Sequence, residues 1–311
     1  MQLPEGEFPP VFRPHMDDRF LDTYAWYSDL SDNGAQELVS RHPVQYSAKH
    51  YHGYVDILPE DCDPSLALLL PQDDWGVQSA VTTEAMARML NRPIRMVVLP
   101  NDADRREVSY ILDSSERFDT LQGNFKPLAE RHIQVMAELG INRFHCIGMG
   151  QAASLGAVTL REAATSTAGL SVCGSMLFEP SNVRPLGTTR LIGELAKLSD
   201  MDAINAALES SANDALLWGL NKGQFTFDID SMMRSLAGHM RHQSQVIIGR
   251  TSQSSQITPV IADAMAETHP TVIPLTVPES SPSYFKNPLA GALLAKLALE
   301  GGFFRPTTAP H

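Results

Sequence analysis

Four short, mostly apolar runs constrain this chain more than any other feature. They occupy residues 66–70, 94–99, 143–147 and 170–178, and each is five to nine residues long. That is strand length, not helix length. Apolar residues follow one another within each run instead of alternating with polar ones. Such a strand is buried on both faces, as in a sheet covered by helices above and below. Between the runs lie segments with helical character, at 82–90, 125–139 and 151–164. In the second of these Ala129, Ile133, Met136 and Leu139 fall at helical spacing, and Gly140 is a C-cap. Strand and helix in alternation predict an α/β fold, a doubly wound and mostly parallel sheet.

The alternation does not fill the chain. Residues 188–243 mix polar and apolar positions at helical spacing with no strand signal, so they read as a helical insertion. The pattern then resumes with a strand at 245–248, a helix at 258–267, a strand at 271–275 and a helix at 288–299 closed by Gly301 and Gly302. At the other end, residues 1–43 hold Pro4, Pro9, Pro10 and Pro14 among scattered aromatics. They read as an irregular arm with a short helix near 18–30, its aromatics more often docked on their own domain than on a partner. A strand pair at 44–50 and 54–58 follows, with Gly53 between. The expected organisation is an arm (1–43), a core (44–187 and 244–303), an insertion (188–243) and a tail (304–311).

Charge and cysteine usage narrow the function classes. The net charge of −12 repels nucleic acid and anionic membrane. Cys62, Cys146 and Cys173 are too few and too far apart for a disulfide framework. The first residues have neither the basic nor the apolar region of a secretory signal, and no apolar run reaches the ~20 residues of a membrane span. The expectation is a soluble protein, cytoplasmic by default or part of a larger assembly. No zinc spacing and no phosphate-binding loop is present, so neither metal nor cofactor is expected. Asp56, Glu60, Asp61 and Asp63 crowd one stretch, which reads as a solvated acidic surface.

The most informative segment is the strand–turn–helix at Gly148-Met149-Gly150-Gln151-Ala152-Ala153. It matches G-x-G-x-x-A, whose glycines let a pyrophosphate approach a helix N-terminus. Glu179 ends the next strand, as a ribose-binding acid should. It lies 29 residues after Gly150, however, longer than the ~20 of a nicotinamide-binding unit. The same turn resembles the G-x-S-x-G nucleophile elbow of the α/β-hydrolase family. Gly148 and Ala152 supply the small residues that flank the nucleophile, and Gly150 stands at the nucleophile position. The resemblance extends over most of residues 44–300. It implies a helical cap at 188–243 and an oxyanion loop at Gln72, Asp73, Asp74 and Trp75. It puts the acid turn near Ser252–Ser255 and the histidine turn around Glu279.

A working triad needs a hydroxyl nucleophile, an imidazole and a carboxylate. This chain has Gly150 for the first, no histidine at 277–282 for the second, and no carboxylate at 252–255 for the third. Two acids, Asp73 and Asp74, fall where an oxyanion would form. Displaced groups are the remaining route to catalysis. Ser154 lies one helical turn past the elbow, Glu179 ends the strand beside it, and His239 sits in the insertion. The sequence therefore predicts a degenerate hydrolase-like scaffold with a binding or assembly role. The partner is a protein or a second copy, with a small ligand as the other option. An esterase with relocated residues is the alternative, and a dinucleotide-binding oxidoreductase the second.

Overall fold

The computed structural model describes residues 7–47, 52–102, 115–116, 119, 124–166, 169–180, 246–254, 257, 259–268, 272–280, 284–285 and 287–300. The insertion at 188–243 and the tail at 304–311 lie outside these residues.

Among the described residues eight strands make one sheet. They are β1 (Gln45–Tyr46), β2 (Gly53–Ile57), β3 (Leu66–Asp74), β4 (Arg95–Asp102), β5 (Arg143–Met149), β6 (Ser171–Phe178), β7 (Val246–Thr251) and β8 (Val272–Val277). Their spatial order is β1-β2-β4-β3-β5-β6-β7-β8. β2 runs antiparallel to β1 and β4, and every other pair is parallel. The helices among the described residues are α1 (Asp18–Ser28), α2 (Asp32–Arg41), α3 (Val77–Met89), α4 (Lys126–Glu138), α5 (Gln151–Thr165), α6 (Pro259–Thr268) and α7 (Pro288–Glu300).

Strand periodicity explains why the apolar runs are continuous. Leu68 and Leu70 enter one core with α3 and α7, while Ala67 and Leu69 enter the other with α4 and α5. Successive side chains point to opposite faces, and here both faces are covered. The six parallel strands all end at one edge of the sheet, and the turns that follow them gather there.

Two strands run further than the sequence suggests. Pro71 and Pro100 look like stops, yet β3 continues to Asp74 and β4 to Asp102, paired Gln72↔Pro100 and Asp74↔Asp102. A proline is tolerated where its missing N–H has no acceptor to reach. Pro71 lies past the end of the β3–β5 ladder, which stops at Leu69↔Cys146. Pro100 lies past the β2–β4 ladder, which stops at Val55↔Val98.

The amino-terminal segment is more regular than expected. α1 is the short helix expected near 18–30, and a 3-10 turn (Pro10–His15) and α2 add order on either side of it. Asp17 caps α1 by accepting from Phe20 N, and Ser31 caps α2 by accepting from Gly34 N. The aromatics dock on their own domain. Phe8, Phe12, Phe20 and Tyr24 are buried, and Phe12 meets Phe285 edge to face at 6.2 Å. Arg19 donates to Leu90 O at 2.6 Å, Trp75 Nε1 donates to His42 O at 2.9 Å, and Lys296 of α7 pairs with Asp17.

Candidate functional site

The strand edge is built around the turn from β5 to α5. Gly150 caps α5 with φ 59° and ψ −125°, a conformation that costs any other residue strain. Its N–H donates to Phe178 O at 2.9 Å, and its carbonyl accepts from Ala153 N at 3.2 Å. Gly148 meets a different constraint. A Cβ there would lie 2.6 Å from Ala152 O and 2.7 Å from Ala153 Cα, so the strand passes too close to the helix for a side chain. A Cβ on Gly150 would meet nothing within 4 Å among the described residues. The corner thus has the bend of a nucleophile elbow and room for a side chain at its apex, where the chain provides none.

Glu179 stands beside this corner, at φ 47° directly after β6. Its N–H donates to Gly249 O at 2.8 Å. Both carboxylate oxygens are occupied. Oε1 accepts from the Thr251 N–H and from Thr251 Oγ1 at 2.7 Å, and Oε2 accepts from Ser254 Oγ at 2.6 Å. Three donors from the end of β7 and the turn after it converge on one carboxylate. Such an acid fixes a loop, and Oε2 keeps one acceptor site beyond these bonds.

The turns after β7 and β8 are joined to each other. Ser252 Oγ donates to Ser280 O at 2.9 Å and accepts from Ser280 N at 2.9 Å. The Ser252 N–H reaches Val277 O at 3.0 Å, and the Gln253 N–H reaches Ser280 O at 3.1 Å. Ser280 is fully buried, and its own hydroxyl donates to Val277 O at 2.6 Å. Glu279 is exposed at φ 50°. These are the turns that bear the acid and the histidine in the hydrolase resemblance. Here their polar groups satisfy one another.

Arg250 adds a feature that the sequence did not single out. It is buried at the end of β7, where Nε donates to Thr251 O at 3.0 Å and Nη2 to Ser252 O at 3.1 Å. Its Nη1 has no acceptor among the described residues. The guanidinium thus props the same turn through backbone carbonyls.

The expected oxyanion loop is mostly strand. Gln72 and Asp73 lie within β3, so only Trp75 and Gly76 separate it from α3. Trp75 is buried and spends its indole N–H on the amino-terminal segment. The side chains of Asp73 and Asp74, like Ser255 and His239, lie outside the described part. Ser154 is buried one turn into α5, and its hydroxyl has no partner among the described residues. It makes no hydrogen bond with Glu179, so the structure does not join these two candidates.

No group of three His, Cys, Asp or Glu among the described residues is placed to hold a metal. The acids near residue 60 are partly paired, Asp56 with Arg95 and Asp63 with Arg143. No helix among the described residues is long and apolar enough to cross a membrane. Burial pushes the Cys146 thiol up to about 12, which suits a packing residue better than a reactive one.

Away from the edge, His52 and His132 are buried with ring centroids 5.2 Å apart. Burial, reinforced by Arg131, pushes His52 down to about 3, and burial together with His52 holds His132 well below its ordinary value. Thr159 Oγ1 lies 3.0 Å from Leu155 O and 2.9 Å from His132 Nδ1, so the hydroxyl links the buried imidazole to the helix backbone.

No family model and no curated protein matches the chain. Solved structures do. A putative hydrolase from Bacillus subtilis is similar at 13% identity and a TM-score of 0.52, over 92% of this chain and 99% of that one. A structure titled as a membrane phospholipase A, a bacterial virulence factor, is similar at 12% identity and a TM-score of 0.52, over 95% and 96%. Cfl2 from Burkholderia cenocepacia is similar at 15% identity and a TM-score of 0.51, over 85% and 95%. At these identities the likeness is one of fold.

Proposed function

We propose that this chain, which has the α/β-hydrolase fold, is a binding or assembly scaffold that does not perform acyl transfer with a serine triad. One observation carries the reading. Position 150, at the apex of the elbow, is a glycine in the elbow's own backbone conformation, so no side chain projects where a nucleophile would. Loss of a whole triad costs on the order of a million-fold in turnover. The neighbouring turns support the same conclusion. Glu179 is committed to Thr251 and Ser254, and Ser252 to Ser280. An edge whose turns are tied to one another by hydrogen bonds suits the display of a surface to a protein partner or a second copy. The amino-terminal segment lends no support to that role, because its aromatics are spent on their own core.

The test is a panel of short-chain activated esters at high protein concentration. The expected result is no turnover above buffer. Turnover that disappears in the combined Ser154→Ala, Glu179→Gln and His239→Ala variant would establish an esterase with relocated groups instead. Turnover that survives this variant is contamination or nonspecific hydrolysis. Saturable heat on adding a dinucleotide at millimolar concentration would favour the oxidoreductase reading.

A further inference from the structure

The imidazoles of His52 and His132 lie on a seam between two elements. His52 immediately precedes β2, and His132 belongs to α4. Both are fully buried, with ring centroids 5.2 Å apart. A second tie crosses the same seam. Ser47, directly after β1, is buried and donates from Oγ to Glu138 Oε1 of α4 at 2.8 Å. The β1–β2 pair is closed on itself here, because the Ser47 N–H donates to His52 O at 3.0 Å. Among the described residues the pair joins the rest of the sheet through β2, at Val55↔Val98, Asp56↔Val97 and Ile57↔Met96, and the Asp56–Arg95 ion pair spans that junction. The charged groups on the seam disfavour a second cation. From α4 the Arg131 guanidinium acts on His52, and His52 acts on His132. From α5 His132 meets the neutral Thr159 hydroxyl. The nearby acids are engaged, Glu116 with Arg131 at 2.8 Å and Glu138 with Ser47.

We propose that the β1–β2 pair is an acid-released flap, which leaves α4 and β4 as a unit when His52 and His132 take up protons, while the parallel strands stay folded. In the closed form a proton on either ring would place a charge out of water, beside a second imidazole and near a guanidinium. Burial accordingly pushes His52 down to about 3 and holds His132 well below its ordinary value. Once released, both rings meet water and take up protons below pH ~6.5. Opening is therefore favoured as the pH falls below ~6.5, by up to about tenfold per pH unit for each ring. Between pH 7 and 5 the two rings together raise the opening constant about 600-fold, or about 25-fold each. The flap gives way before the core because it is attached to the sheet at Val55, Asp56 and Ile57, whereas β5 and β6 pair from Arg143 to Met149. His145 of β5 is also held down, by burial and by Arg92, but it stays in place when the flap leaves and does not drive the release. The seam is separate from the elbow, so the flap stands whether or not the chain hydrolyses esters.

Amide hydrogen exchange of the full chain at pH 7 and pH 5, each corrected for the intrinsic rate at that pH, tests it. The protected amides of β2 should open about 600-fold more at pH 5 and respond little to low urea. Those of β5 and β6 should open more rarely at both pH values, with the full urea dependence of unfolding. His52→Phe or His132→Leu alone should reduce the rise in β2 to about 25-fold, and the two together should abolish it. Either single variant serves as the readout if the other does not fold. Equal opening constants and equal urea dependence in β2 and β5 would mean that β2 leaves only when the whole chain unfolds, and would overturn the proposal. So would a rise in β2 below about tenfold, a rise undiminished in the folded variants, or imidazole proton resonances that titrate near pH ~6.5 in the closed chain.

Discussion

The elbow between β5 and α5 and the joined turns after β7 and β8 share one edge of the sheet, and they are held by different means. At the elbow the constraint is steric and lies in the backbone. Gly148 is fixed by the closeness of Ala152 and Ala153, and Gly150 by its φ of 59°. At the joined turns the constraint is polar and lies in side chains. Glu179, Thr251, Ser252, Ser254 and Ser280 satisfy one another. The difference separates what the fold demands from what chemistry demands. A sheet that passes a strand directly into a covering helix needs the tight corner whatever its function. The acid and histidine turns need catalytic groups only if catalysis is done. Here they carry hydrogen bonds instead.

Substitutions can break this comparison. Gly148→Ala should be the most damaging, because its methyl group meets backbone and not a movable side chain. A loss of about 3 kcal/mol by urea unfolding is expected. A loss under about 1 kcal/mol would mean that the corner yields and the steric half of the comparison fails. These measurements belong at neutral pH, because the buried imidazoles impose a slope of their own. His52 at about 3 and His132 well below its ordinary value stay neutral in the folded chain while the unfolded chain takes up protons below pH ~6.5. Stability is therefore full above pH ~6.5 and falls as the pH drops toward 3, by up to about 1.4 kcal/mol per pH unit for each histidine. Unfolding at pH 7.5 and 5.5 should differ by about 3 kcal/mol from this pair, and equal stabilities would contradict their neutral burial.

Glu179→Ala strips the acceptors from Thr251 and Ser254 and should cost about 2 kcal/mol. A cost near zero would remove the polar half of the comparison. Gly150→Ala has space for its methyl group and pays only for its backbone conformation, about 1 kcal/mol. The gap between it and Gly148→Ala measures contact against conformation at one turn. Ser252→Ala, which loses both bonds to Ser280, should cost about 1 kcal/mol. Loss much above that would show the two turns to be more strongly coupled than their geometry requires.

The sequence revealed the parts of this edge that depend on backbone. The spacing Gly148-x-Gly150-x-Ala152 between an apolar run and an Ala-rich helix located the elbow. The alternation of runs located the strands. It misjudged the ends of β3 and β4 because proline usually stops a strand, and the ladder ends that excuse Pro71 and Pro100 are set by β5 and β2. It missed α2 because Asp32-Asn33-Gly34 reads as a turn, although Ser31 three residues before Gly34 is the capping signal. The partners of Glu179 were out of reach. Thr251 lies 72 residues away, and nothing local marks the pairing. Serine at 252 and 280 gave no sign that each would satisfy the other.

The central claim is that the edge has the elbow's geometry without an activated nucleophile. A fluorophosphonate, which bonds only to a serine hydroxyl activated by a neighbouring base, tests it directly by intact mass. The account predicts that the folded chain gains no adduct at a concentration that labels an active serine hydrolase to completion. A single stoichiometric adduct, mapped by peptide mass to Ser154 or any other serine and abolished by unfolding, would contradict it.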